Sequence, residues 1–195
     1  MTVPDGPVDS GHRPSARRAR GSLLWILVEE ALRELVSTRA IHDVLYRYCR
    51  SLDRMDRPMA ESVWHPGATA DYGTMYEGTG SGFLEWVWEA HSALEAHSHQ
   101  ITNVLVDVDV DGDRAVSESY VTVALWRRLP DGGVVEIVGR GRYVDRWSCR
   151  DGRWAIDHRQ FLSDMQHAVT LSAAQAQGGG DGRRDRSDPS YAALP

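Results

Sequence analysis

The chain has 195 residues, 42% hydrophobic and 26% charged, with a formal net charge of −6. That length suffices for one domain with its own core, and the acidic balance argues against a nucleic-acid partner. Two cysteines, Cys49 and Cys149, make no disulfide framework and fit a reduced, cytoplasmic chain, while the apolar run 23–28 is too short to span a bilayer and is not part of a secretory signal.

Residues 1–20 are rich in Pro, Gly, Ser and Arg and are expected to be a disordered tail, with Arg17, Arg18 and Arg20 solvated. Leu23, Ile26, Leu27, Ala31, Leu32 and Leu35 recur at helical spacing and predict a helix over 22–35. Ser37 or Thr38 caps a second helix whose stripe is Ile41, Val44, Leu45, Tyr48 and Leu52, ending at Asp53. A carboxylate there meets the negative pole of the helix dipole, which disfavours its charge. Asp56 caps a short third helix with Arg57-Pro58 in its first turn, and His65-Pro66-Gly67 ends it. Two short strands are expected over 68–72 and 74–77, and Thr79 or Ser81 opens a helix whose stripe is Phe83, Val87, Ala90 and Leu94, thickened by His91.

From His97 the period changes to two. Runs over 98–110, 114–128, 134–148 and 153–163 are separated by Gly-containing turns and predict a four-stranded antiparallel meander. Residues 21–173 form one domain, and the polar composition of 174–195 predicts a second disordered tail. The fold class is α+β: a cone-shaped, curved, mostly antiparallel sheet packed against N-terminal helices, with a natural pocket at its open end.

His99 and Asp53 would face each other across that pocket, where a histidine and a carboxylate can move a proton. On the residues alone, His99 reads first as a strand-end histidine and Tyr48 first as a core tyrosine, and Asp53 can be a solvated helix-end residue. Alternation places His97, His99, Ile101, Asn103, Leu105 and Asp107 on one face of their strand, without saying which face lines the pocket. His97 and His99 lack the further ligands a metal needs, so no metal is expected. Val121, Val123 and Leu125 are candidates for an outer sheet face that needs a cover, and hence for a homo-oligomer, dimer or trimer.

The segments IHDVLYRYCRSLDRMD (41–56), WHPGATADY (64–72), SHQITNVLVDVDVDGDRAVSESYV (98–121) and YVDRWSCRDGRWAIDHR (143–159) together resemble the SnoaL-like branch of the nuclear transport factor 2 superfamily. The resemblance spans roughly 22–172. It implies a nuclear transport factor 2-like, or cystatin-like, α+β barrel. Within the branch the chain is similar to scytalone dehydratase, γ-hexachlorocyclohexane dehydrochlorinase and the bile-acid dehydratases. These use a His–Asp dyad without a cofactor; the matching positions are Asp53 in SLDRMD and His99 in HQITN. The dehydrochlorinase likeness adds Arg159, and the bile-acid enzyme likeness adds Tyr48. A second histidine or aspartate near 122–125, used by some of these enzymes, is missing here.

The resemblance implies a cofactor-free lyase of dehydratase type, or an isomerase. Its substrate would be a small hydrophobic molecule, polycyclic, steroid-like or aromatic, in a cavity of several hundred Å³. Two other functions belong to the same fold: a polyketide cyclase, and a non-catalytic binding or assembly domain such as the small subunit of ring-hydroxylating dioxygenases.

Overall fold

The computed structural model describes residues 16–111, 113–176 and 180–194, and the side chains from residue 23 onward. Its elements are α1 (Ala16–Asp53), α2 (Arg57–Ser62), β1 (Trp64–Asp71), β2 (Glu77–Thr79), α3 (Gly80–Ser92), β3 (Ala96–Asp109), β4 (Arg114–Arg128), β5 (Val134–Arg150), β6 (Arg153–Leu171) and α4 (Ser190–Ala193). The strands form one sheet in the order β2-β1-β6-β5-β4-β3. All pairs are antiparallel except β1 with β6. This is the expected α+β cone, a mixed sheet curved around the C-terminal half of α1. Most of the expected tail 1–20 lies outside the described residues.

The two helices predicted on either side of Ser37 are a single helix of 38 residues. No Gly or Pro stands between Glu34 and Ala40, and Ser and Thr cost a helix interior only a few tenths of a kcal/mol. The helix ends as a Schellman motif: the Asp56 amide donates to Ser51 O at 2.8 Å and the Met55 amide to Leu52 O at 3.0 Å. Met55 takes the left-handed conformation, φ 47°, usually given to glycine. Asp56 then caps α2 by accepting from the Met59 amide at 3.2 Å, as expected, and Thr79 caps α3 by accepting from the Gly82 amide at 3.1 Å.

His65-Pro66-Gly67 lies inside β1, at an irregularity between Trp64 and Thr69, so it bends a strand where the sequence predicted a break. The stretch expected as a strand over 74–77 is mostly turn, and β2 begins only at Glu77. β4 matches its expected bounds, whereas β6 continues eight residues past the expected 163, to Leu171. The β5–β6 connection is the two-residue loop Asp151-Gly152, with φ of 54° and 75°. Both positive values mark a type I′ turn, which suits the right-handed twist of the strands.

β3 departs from simple alternation. Its register against β4 shifts between Thr102 and Leu105, and Asn103 has φ 48°. This bulge inserts one residue and reverses the parity of the strand. His97, His99 and Ile101 are inward before it, and Val104, Val106 and Val108 are inward after it. Asn103, Leu105 and Asp107 therefore do not share a face with His99. The same sheet corrects the outer-face assignment of Val121, Val123 and Leu125, which line the inner cavity.

Residues 180–194, part of the expected disordered tail, lie against the body of the fold. Arg184 donates to the carbonyls of Leu94 and His91 at the C-terminus of α3, and Tyr191 donates to Asp56 at 2.8 Å. Asp188 is buried, with Arg54 at 3.3 Å. Specific ion pairs and caps hold a segment that has almost no apolar surface of its own.

Asn103 supplies the test of the bulge. Asn103→Val puts a β-branched residue at positive φ and should cost about 1–2 kcal/mol in urea unfolding, while Asn103→Gly should be close to neutral.

Candidate functional site

The C-terminus of α1 and the start of β3 are tied at two successive residues. The Leu52 carbonyl accepts from His97 Nε2 at 2.7 Å. The Asp53 carboxylate accepts from His99 Nδ1 at 2.7 Å, and the His99 backbone amide lies 3.1 Å from each of its oxygens. A carboxylate oxygen accepts, so Nδ1 of His99 carries the hydrogen and Nε2 of the neutral ring carries the lone pair. Asp53 and His99 side chains are only 15% and 5% exposed, which strengthens the contact relative to one in water.

His99 forms part of the wall of a cavity of about 160 Å³ between the concave sheet, α1 and α3. Tyr48, Tyr72, Phe83, Trp86, Tyr143 and Phe161 give it aromatic walls, and Val121, Val123, Leu125 and Ile137 an aliphatic one. Its polar groups are few: His91, His99, Ser163, Gln166 and the tyrosine hydroxyls. Gly139 also lines it, and a Cβ there would meet nothing within 4 Å. The volume is smaller than the several hundred Å³ expected, because large rings fill the cone; a cavity of about 150 Å³ is enough for benzene. A broader depression of about 500 Å³ lies elsewhere on the sheet among Asp107, Arg114, Arg146 and Asp157, and includes none of the predicted site residues.

The four predicted residues fall in different places. His99 and Tyr48 line the cavity. Asp53 stands behind His99 and reaches the cavity only through the imidazole. Arg159 is fully buried behind the aromatic wall and is not among the lining residues. Its Nε and Nη2 donate to the two oxygens of Asp145 at 2.7 and 2.8 Å. Its guanidinium carbon lies 4.2 Å from the ring centre of Tyr48 and 3.9 Å from that of Tyr143. Burial works against the Arg159 charge, but the paired Asp145 outweighs it and raises its pKa well above the ordinary value.

Tyr48 and Tyr72 share a hydrogen bond of 2.8 Å between their hydroxyls. Burial raises both pKa values, Tyr72 well above the usual range, and Arg159 pulls against that rise. Both therefore stay protonated, and Tyr143 also hydrogen-bonds Tyr48, so the three hydroxyls form one group.

The sequence left Tyr72 and His91 out of the site. His91 had been placed on the stripe of α3, and the signal for its role was its spacing of four from Val87, which also lines the cavity. Its ring centre is 4.4 Å from that of His97 and 5.5 Å from that of His99. Burial lowers the His91 pKa to about 2, helped by the neighbouring His97, His99 and Arg184. Burial lowers His97 to about 4, against its hydrogen bond to Leu52. Among the described residues, no three His, Cys, Asp or Glu side chains stand together as a metal site, and no helix is long and apolar enough to cross a membrane.

The geometry defines a class: an α+β cone whose mouth holds a histidine backed by a carboxylate and faced by aromatic rings. The model of the SnoaL-like domain matches residues 33–160, and the chain belongs to that family. None of the curated proteins compared matches it. Among solved structures it is similar to a protein assigned as a scytalone dehydratase from Novosphingobium aromaticivorans, at 18% identity over 76% of this chain and 99% of that one, TM-score 0.62. A hexachlorocyclohexane dehydrochlorinase aligns at 19% identity over 77% and 99%, TM-score 0.63. A cystatin-like protein from Nostoc punctiforme aligns at 18% over 65% and 90%, TM-score 0.52. At these identities the likeness is one of fold.

Two measurements probe the site's supports. Arg159→Met leaves the Asp145 carboxylate buried without its partner and should cost roughly 3–5 kcal/mol in chemical denaturation. The lowered His97 pKa means that below about pH 6.5 the unfolded chain takes up a proton the folded chain refuses. Stability conferred above pH 6.5 is therefore lost progressively as pH falls toward 4. His97→Gln, which keeps a donor for Leu52 but cannot titrate, should reduce that slope in thermal melts recorded across the range, leaving the share contributed by the lowered His91.

Proposed function

We propose that this chain is a cofactor-free lyase or isomerase that removes a proton from carbon in a ring-sized, apolar substrate. His99 Nε2 is the base and Asp53 orients and supports the ring. The base takes the proton from a carbon beside a carbonyl or leaving group, and the C–H electron pair becomes the new double bond. In an elimination the leaving group departs with its electron pair; in an isomerisation the proton returns to another carbon.

The Tyr48–Tyr72 hydroxyl pair supplies a neutral donor to the oxygen on which negative charge develops. Arg159 acts through those rings as a positioning residue, since it stands behind them. The aromatic walls hold the substrate flat, and the cavity volume favours one ring over a steroid. The reading rests above all on the 2.7 Å contact between His99 Nδ1 and Asp53, with the ring forming part of the cavity wall. The dehydratase and dehydrochlorinase among the solved relatives support this class of reaction.

The test is solvent-deuterium exchange into small cyclic ketones and elimination from cyclic β-hydroxy ketones and halogenated cyclohexanes. His99→Ala should lower whichever rate is found by about 10²–10⁴-fold. Asp53→Asn should lower it as well. Gly139→Leu, which fills the cavity, should abolish binding while the fold persists. An exchange or elimination rate indifferent to His99→Ala, or one indifferent to Asp53→Asn, would sink the proposal.

A further inference from the structure

α1 is 38 residues long, but only its C-terminal part, from about Ile41, is packed in the core. The part before it carries a run of large apolar side chains that stay exposed. Leu23, Leu24, Trp25, Ile26, Leu27 and Val28 are each about half exposed or more, with Trp25 at 75%. At 100° per residue, six consecutive apolar residues cover the whole circumference of the helix. The run continues at Leu32 and Leu35, also more than half exposed. An exposed apolar surface of this extent marks a contact site.

The charges around the run indicate what covers it. On its N-terminal side stand Arg17, Arg18 and Arg20, and on its C-terminal side Glu29, Glu30 and Glu34. Among the described residues these glutamates have no ion pair within the protomer. The pattern is self-complementary under one operation. A two-fold axis between Trp25 and Ile26 lays residues 23–28 on themselves and sets Arg17 opposite Glu34. It sets Arg20 opposite Ala31, next to Glu30, and leaves Arg18 opposite Arg33, which already lies 3.9 Å from Asp111 of its own protomer. A parallel pair would set arginine beside arginine and glutamate beside glutamate. An interface between identical surfaces under a two-fold axis is the commonest form of oligomer.

The outer face of the sheet is the weaker candidate for such a contact. Its middle carries the charged cluster of Arg142 with Asp164 at 3.0 Å and Glu118 at 3.3 Å, each at least 30% exposed. We propose that the projecting half of α1 is a dimerisation element that pairs antiparallel with the same segment of a second copy of this chain. This interface is independent of the proton-transfer reading, since it shares no residue with the cavity.

Sedimentation equilibrium on the full chain is the experiment. The expected result is a dimer that weakens as salt is raised. Leu24→Glu with Trp25→Glu should raise its dissociation constant at least about a hundredfold, leaving a folded monomer by circular dichroism, because neither side chain supports the protomer. Arg20→Glu alone should weaken the pair and the further change Glu30→Arg should restore it. A parallel helix pair or a contact through the sheet would not show that rescue. The proposal is overturned by a monomeric wild type, by a dimer indifferent to the double variant, or by failed charge rescue. It is also overturned by a chain that stays monomeric and floats with phosphatidylglycerol vesicles through the same residues.

Discussion

The joint between α1 and β3 holds the rest of the site in place. Leu52 and Asp53, the last two residues of the helix, each receive one histidine of the strand. A carboxylate at this end of a helix is disfavoured by about 0.3–1 kcal/mol. Here the ring N–H and the backbone amide of His99 both point at it, and hydrogen bonds to a charged acceptor are the stronger kind. The same contacts fix the imidazole tautomer and aim its free nitrogen away from the helix. Orientation of the imidazole and closure of the fold are thus one set of bonds.

Behind the opposite wall stands the Arg159–Asp145 pair. The two residues are direct neighbours across β5 and β6. A buried pair of this kind contributes little net stability, but removal of either member is costly. Its effect on the cavity is indirect: the guanidinium lies under the faces of Tyr48 and Tyr143, where the ring quadrupole attracts a cation. The tyrosines are held flat, and their hydroxyls are kept protonated in a dry environment.

Much of this was legible because it is local. The Asp56 cap, the Asp151-Gly152 hairpin and the stripe from Ile41 to Leu52 each follow from a few adjacent residues whose backbone preference is strong. The resemblance to SnoaL-like proteins carried Asp53 and His99 onto positions that the structure brings to 2.7 Å. What could not be read depends on single backbone choices or on distant pairing. Asn103 in a left-handed conformation moves every later residue of β3 to the other face, and no alternation pattern announces it. Val121, Val123 and Leu125 were assigned outward because their strand has apolar residues on both sides. Arg159 looks like a substrate ligand until the strand register sets Asp145 beside it. His91 and Tyr72 join the site from α3 and from the end of β1, and only the closed cone makes them neighbours.

The segment 180–194 lies beyond the residues matched by the family model, yet it ends at the joint just described. Tyr191 rests on Asp56, two residues past the Arg54 that meets Asp188, and Arg184 covers the carbonyl of His91. The segment therefore works as a brace on the joint between α1 and β3. A version trimmed to residues 33–160 would keep Asp53, His99 and most of the cavity wall, but would lose Phe161, Ser163 and Gln166 from that wall together with the strut behind the joint. How firmly the His99 ring is held is thus set partly by residues outside the cavity wall and far from it in the sequence.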